Sequence, residues 1–163
     1  MKNAAFEPRN DAADRINSAK SAISGLLAMR FTVREDHLRE LLSICLWKIT
    51  EAEPDHKHRT RFRSEGSLRA RARDLRHEHV FERSKLVDAL LSSPEKADEI
   101  ADLAVACTVT KAEHEALAAV CRANPTLTGW ARYAAAGIRV YDVTTDSEHI
   151  TSSPGSEPSI AME

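Results

Sequence analysis

The sequence predicts a mainly α protein: an N-terminal helical hairpin plus a C-terminal helical subdomain with one or two short strands. Three observations predict it. Apolar residues recur at helical spacing in several segments, capping signatures stand at the starts of those segments, and Gly (5) and Pro (6) are too few among 163 residues for a turn-rich all-β chain.

Asn10 is placed to cap a first helix running to about Met29, with Ile16, Ala19, Ile23 and Leu26 or Leu27 as its apolar stripe. Thr32-Val33-Arg34-Glu35 reads as a capping box opening a second helix to about Ala52, in which Leu38, Leu41, Leu42, Cys45 and Ile49 share a side. A short turn at Arg30–Thr32 lets the two bury their stripes together. Asp55 to Gly66 is polar and basic, a loop in which Thr60–Arg63 has the makings of a brief strand. From Ser67, the residues Leu68, Ala72, Leu75, His79 and Leu86 or Leu90 keep helical spacing, with a break near Phe81–Ser84 and Ser84 as cap of Lys85–Leu91. Ser93-Pro94 is a cap followed by proline at a first helical position, and Glu95, Asp98 and Glu99 suit the positive end of that helix. Thr110-Lys111-Ala112-Glu113 is a second capping box, for a helix that halts at Asn124-Pro125. Gly129 to Ala136 reads as a short helix with Gly137 at a left-handed C′ position, and Ile138–Val143 alternates like a strand. Beyond Thr144 the Ser, Thr, Pro, Glu and Asp content lacks the apolar surface that would offset ordering entropy.

The expected organisation is therefore a flexible N-terminus over 1–9 and one mostly helical domain over 10–143. That domain divides into a hairpin at 10–53, a basic segment at 54–85 and a helical subdomain at 86–143, followed by a disordered tail at 144–163. No apolar run reaches the ~20 residues that cross a bilayer. Met1–Asn10 carries Lys2, Glu7 and Arg9 and no apolar leader segment, so a cytoplasmic protein is the expectation. Cys45, Cys107 and Cys121 form no C-x-x-C pair and are expected to be buried thiols. Trp47, Trp130 and Tyr133 lie at helical spacing among alanines and leucines and are expected to pack.

The net charge of −2 hides an uneven distribution. Residues 56–85 hold ten basic and four acidic side chains, a net of +6, whereas residues 86–163 are net −7. Arg59, Arg61, Arg63, Arg69, Arg73 and Arg76 make this window a candidate phosphate-binding surface. The alternative is that it pairs with an acidic protein partner or with the acidic C-terminal half of the same chain.

Four of the seven histidines fall in the same window, His56, His58, His77 and His79. The string Leu75-Arg76-His77-Glu78-His79-Val80, with Glu113-His114 some 35 residues on, groups imidazoles and carboxylates suited to a divalent cation or to proton transfer. On a strand, His77 and His79 would point to one face; on a helix they would diverge, and His79 would join the apolar stripe.

Glu78-His79-Val80 followed by a helical Glu113-His114 resembles the acid-His-hydrophobic step and distal helical His of HNH-type (ββα-metal) nucleases. The resemblance spans residues 75–115. It implies His77 or Glu78 as a metal ligand, His79 as the general base and His114 as a second ligand, with Mg, Mn or Zn as the cofactor. The stretch between the two motifs departs from that family, reading as helix rather than loop and strand and lacking Asn. No phosphate-binding Gly-rich loop, H-E-x-x-H or G-x-S-x-G string is present. The expected function is thus nucleic-acid binding, with an HNH-like, metal-dependent phosphodiesterase activity as its catalytic form. A non-catalytic interaction or regulatory protein is the alternative.

Overall fold

Helix α1 (Ala12–Ala28) buries Ala12, Ala19, Ile23 and Leu27 along one stripe, and α2 (Glu35–Thr50) buries Leu38, Leu42, Leu46 and Ile49 along another. The two helices pack on each other, as their periodicity requires. The computed structural model to which these helices belong describes residues 6–145 and 147–149. The fold is mainly α with a few short strands.

The chain divides into two compact units, each built from discontinuous stretches. One contains Glu7–Lys57 and His79–Val105. In it α3 (Arg83–Ser92) packs on α2, and α4 (Ala97–Asp102) packs on both α1 and α3. Leu38, Leu42, Leu46, Leu86, Leu90 and Ile100 are essentially excluded from solvent and form its core. Two surface ion pairs cross its helices, Lys20 Nζ to Asp102 at 2.6 Å and Arg39 Nη1 to Asp88 at 2.6 Å. Leu41, expected on the apolar side of α2, turns outward with Ile44.

Several expected caps are corrected. Asp11, not Asn10, precedes α1, and its carboxylate is occupied by Arg9 (3.1 Å) and Arg15 (2.7 Å) instead of the backbone. Charge-assisted bonds to guanidinium outcompete a neutral N–H. The Thr32 box does not form: Arg34 precedes α2, and the Thr32 hydroxyl donates to the Met29 carbonyl at 3.0 Å. Ser84 lies inside α3 rather than at its cap, and Ser93 leads into a 3₁₀ turn at Pro94–Lys96 without a side-chain cap.

The other unit, described at Phe6, 58–78, 106–145 and 147–149, carries a five-stranded sheet. Its strands are β1 (Phe62–Ser64), β2 (Leu75–His79), β3 (Ala106–Thr110), β4 (Val140–Asp142) and β5 (Ser147–His149), in the order β2-β3-β1-β4-β5. The last residue of β2 begins the helical unit. β1 runs parallel to β3, with Phe62 opposite Cys107, and antiparallel to β4, with Phe62 opposite Asp142. β4 pairs antiparallel with β5, Val140 opposite His149. Helices α5 (Lys111–Ala123) and α6 (Trp130–Ala135) complete the unit.

The helical reading of residues 68–79 is thereby overturned. Residues 75–79 are a strand, because hydrogen bonding onto β3 outweighs an ambiguous local period. β3 itself escapes detection from sequence because its first four residues are all buried and show no alternation. Five strands stand where one or two were expected. β5 lies within the expected tail, whose remainder from 150 on falls outside the described residues, as do residues 1–5.

The Thr110–Glu113 capping box forms in full. Gly137 takes φ 66°, the left-handed geometry expected after α6. Phe62, Trp130 and Tyr133 pack ring to ring, with centroids 5.0 and 5.2 Å apart. Burial pushes the Cys107 thiol up, so it remains a neutral core side chain.

Arg61 belongs to the basic window but answers a carboxylate of the same unit: its Nη2 lies 2.6 Å from Asp142 Oδ2. Burial opposes the charge on Asp142, yet hydrogen bonds from Arg61 and from the Thr144 side chain and backbone outweigh it, lowering the carboxyl to about 2. A carboxyl depressed in the folded state stabilises the fold above its unfolded value of 3.8, and that contribution disappears as pH falls through about 2. Asp142→Asn is expected to cost about 1–2 kcal/mol at pH 7, discounted for the exposed Arg61 partner. Urea unfolding of both proteins should show the gap shrinking between pH 4 and pH 2; a gap independent of pH would contradict the assignment.

Candidate functional site

β2, α5 and α6 bring three polar side chains together in the sheet-bearing unit. Glu78 comes from β2, His114 from the first turn of α5 and Arg132 from α6. The capping box fixes where α5 begins and therefore where His114 sits, one residue beyond the Glu113 that closes the box. His114 Nδ1 lies 2.6 Å from Glu78 Oε2. A carboxylate can only accept, so Nδ1 is the protonated nitrogen and Nε2 is left with its lone pair when the ring is neutral. The His114 side chain is 48% exposed, whereas that of Glu78 is 12% exposed.

Arg132 holds the carboxylate from behind. Its Nη2 donates to Glu78 Oε1 at 3.4 Å and its Nη1 to Cys121 Sγ at 3.3 Å, while its side chain is only 2% exposed. A buried guanidinium is costly unless matched by charge, and Glu78 supplies that charge. Burial also pushes the neighbouring Tyr133 phenol well up, so it stays protonated beneath the site. The result is a carboxylate–imidazole pair fixed from the interior, with the imidazole about half exposed. Such a pair can accept a proton from a bound nucleophile.

The residues expected to form a metal centre are not assembled as one. Alternation along β2 sets His77 on the face opposite Glu78. Both Glu78 oxygens already accept hydrogen bonds, from His114 and from Arg132. Among the described residues no group of three His, Cys, Asp or Glu side chains is placed to hold a metal ion. Of the expected ligand set, the structure thus brings Glu78 and His114 together and sets His77 apart from them. His79, expected as the general base, lies in the helical unit with its ring centroid 5.2 Å from Trp47 and its Nε2 buried.

The basic window separates into two groups. Arg61 is tied to Asp142, and Arg63 Nε donates to the Thr60 carbonyl at 3.3 Å. Arg59 is exposed just before β1. Arg69 and Arg73 fall on the stretch leading into β2, together with Arg71, which was not among the residues singled out from sequence, and Arg76 lies in β2 itself. Arg69 and Arg71 are exposed and form no ion pair among the described residues, and Arg73 meets Asp74 only at 3.8 Å. Arg76 shares a face of β2 with Glu78, two residues away, or about 6–7 Å along the strand. Its Nη1 donates to the Leu75 carbonyl at 2.7 Å, which steadies the guanidinium.

Sequence reasoning reached Glu78 and His114 but missed Arg132. An arginine in an alanine-rich short helix carries no local sign of burial; only the packing of α6 in this unit shows it. No protein-family model, curated protein or solved structure matches the chain. Among the described residues no helix is long and apolar enough to cross a membrane.

Proposed function

We propose that this chain binds nucleic acid through the arginines of residues 69–76 and hydrolyses a phosphodiester with His114 as proton acceptor. The observation that carries the reading is the Glu78–His114 pair, with Arg76 on the same strand face as Glu78. Arg76, with Arg69, Arg71 and Arg73, would hold backbone phosphates. His114 Nε2 would take the proton of a water whose oxygen attacks phosphorus. The P–O ester bond then breaks, and the proton passes to the departing alkoxide, leaving a phosphomonoester and an alcohol. Glu78 keeps the imidazole in the productive tautomer, and Arg132 keeps Glu78 in place. The general-base role thus moves from His79, as the HNH resemblance implied, to His114.

Fluorescence anisotropy with a labelled oligonucleotide across a salt series tests the binding half. Four phosphate contacts predict a log–log slope near −3 on a single strand and nearer −4 on duplex. Arg71→Ala should flatten the slope by about one contact. No binding at low salt overturns the reading and favours a protein partner for the basic segment. For the chemistry, cleavage is compared for wild type, His114→Gln and His79→Gln, each in EDTA and in Mg²⁺, Mn²⁺ or Zn²⁺. His114→Gln should lower the rate about 10²–10⁴-fold while His79→Gln should leave it nearly unchanged. The reverse ranking, or cleavage that vanishes in EDTA, rejects His114 as a metal-free base.

A further inference from the structure

An open cavity lies in the sheet-bearing unit, and its chemistry differs from that of the histidine pair. About 490 Å³ in volume and broadly open to solvent, it is lined by the turn after β1, the first turns of α5 and the turn between α6 and β4. Small groups leave the space open: Gly66, Ala112, Ala116, Ala136 and Gly137 contribute almost no side-chain volume, and the buried Ile138 provides an apolar wall. Such a volume falls in the ordinary range for a small-molecule site.

Its polar groups are of two kinds. Arg69 is exposed at the cavity without an ion pair among the described residues, and Arg139 stands there with its Nη1 3.4 Å from Glu65 Oε2, both side chains largely exposed. Contacts of that length and exposure are weak and exchange readily for a phosphate. The second kind is Glu113. Its carboxylate receives Ser64 Oγ at 2.5 Å, Thr110 N at 2.7 Å and Thr110 Oγ1 at 2.9 Å, all on Oε2. Oε1 takes none of these bonds and lies on the Gly66 side, where a Cβ would come within 2.6 Å of it. A fixed acceptor, two guanidinium groups and an apolar wall in one cavity match a molecule with a phosphate, a flat ring and an N–H donor.

We infer that this cavity receives one unpaired nucleotide, its phosphate on Arg69 and Arg139 and the exocyclic amine of its base on Glu113 Oε1. This rests on the nucleic-acid reading above and sharpens it, since a base still paired in a duplex could not enter. Glu113 immediately precedes His114 on α5, so the cavity and the imidazole share one end of that helix, Glu113 turned to Ser64 and His114 to Glu78. The substrate class is then single-stranded, with the amine-bearing bases adenine, cytosine or guanine preferred at one position over uracil.

Isothermal titration of the full chain with AMP, CMP, UMP and ribose 5-phosphate tests the inference. AMP and CMP should bind saturably, and at least about fivefold more tightly than UMP or ribose 5-phosphate. Ala116→Leu, which fills the cavity with a good helix-forming residue, should weaken AMP at least tenfold while circular dichroism stays unchanged. Arg69→Ala should weaken AMP and ribose 5-phosphate alike. Equal affinity of AMP for wild type and Ala116→Leu, or equal affinity for AMP and ribose 5-phosphate, overturns the inference. Absence of mononucleotide binding while the oligonucleotide still binds also overturns it and leaves the nucleic-acid reading standing. Loss of oligonucleotide binding by the wild type removes that reading as well.

Discussion

Arg132→Ala is expected to destabilise the sheet-bearing unit by about 3–5 kcal/mol, the range for breaking a buried ion pair from one side. The 2%-exposed side chain spans Glu78 on one end and Cys121 on the other, and its guanidinium sits 6.0 Å from the Tyr133 ring centre. Truncation leaves a cavity and a Glu78 carboxylate with only the His114 ring for company. The unit has its own reporter in Trp130, so urea unfolding followed by fluorescence in a Trp47→Phe background reads it selectively. Arg132→Met combined with Glu78→Gln should recover part of the loss, because the double change removes the unmatched charge along with its partner. A cost below about 1 kcal/mol for Arg132→Ala would mean that Glu78 does not depend on it, and the support proposed for His114 would fall with that result.

In the helical unit, Leu42→Ala should cost about 2–5 kcal/mol, whereas Leu41→Ala should cost less than about 1 kcal/mol. The two leucines are neighbours in α2 with the same helix propensity, so the contrast isolates burial. Leu42 has 0% exposure and Leu41 has 42%. Trp47, near the end of the same helix, reports this unit in a Trp130→Phe background. Equal costs at the two positions would show α2 rotated from the orientation described. Its apolar stripe would then include Leu41, as the sequence pattern alone suggested.

That last contrast shows how far local pattern reaches. The α2 stripe is visible in Leu38, Leu42 and Ile49, which lie within about 17 Å along one helix, while the buried Leu46 was not among the residues expected there. Whether Leu41 joins them depends on the width of the neighbouring surface, which no short window contains. The Thr110–Glu113 box is legible for the same reason: donor and acceptor are three residues apart. The Thr32 box fails because the chain reverses at Met29–Val33 and the hydroxyl finds a carbonyl there first. Of the candidate site, Glu78 and His114 stood out by type, but with the role of metal ligands. Their pairing across 36 residues became visible only once residues 75–79 proved to be a strand.

Sequence alone determined the mainly helical character, the positions of the principal helices, the +6 segment and the titratable residues within it. Each of these depends on side chains close together in the chain or on a simple count. Tertiary structure decided the rest. Strand β2 exists because β3 offers it a hydrogen-bonded neighbour, Arg61 faces Asp142 across a sheet, and Arg132 is buried against a carboxylate 54 residues away. A buried charge or a strand edge is stabilised by whichever group lies next to it in space, and chain order does not encode that neighbour locally.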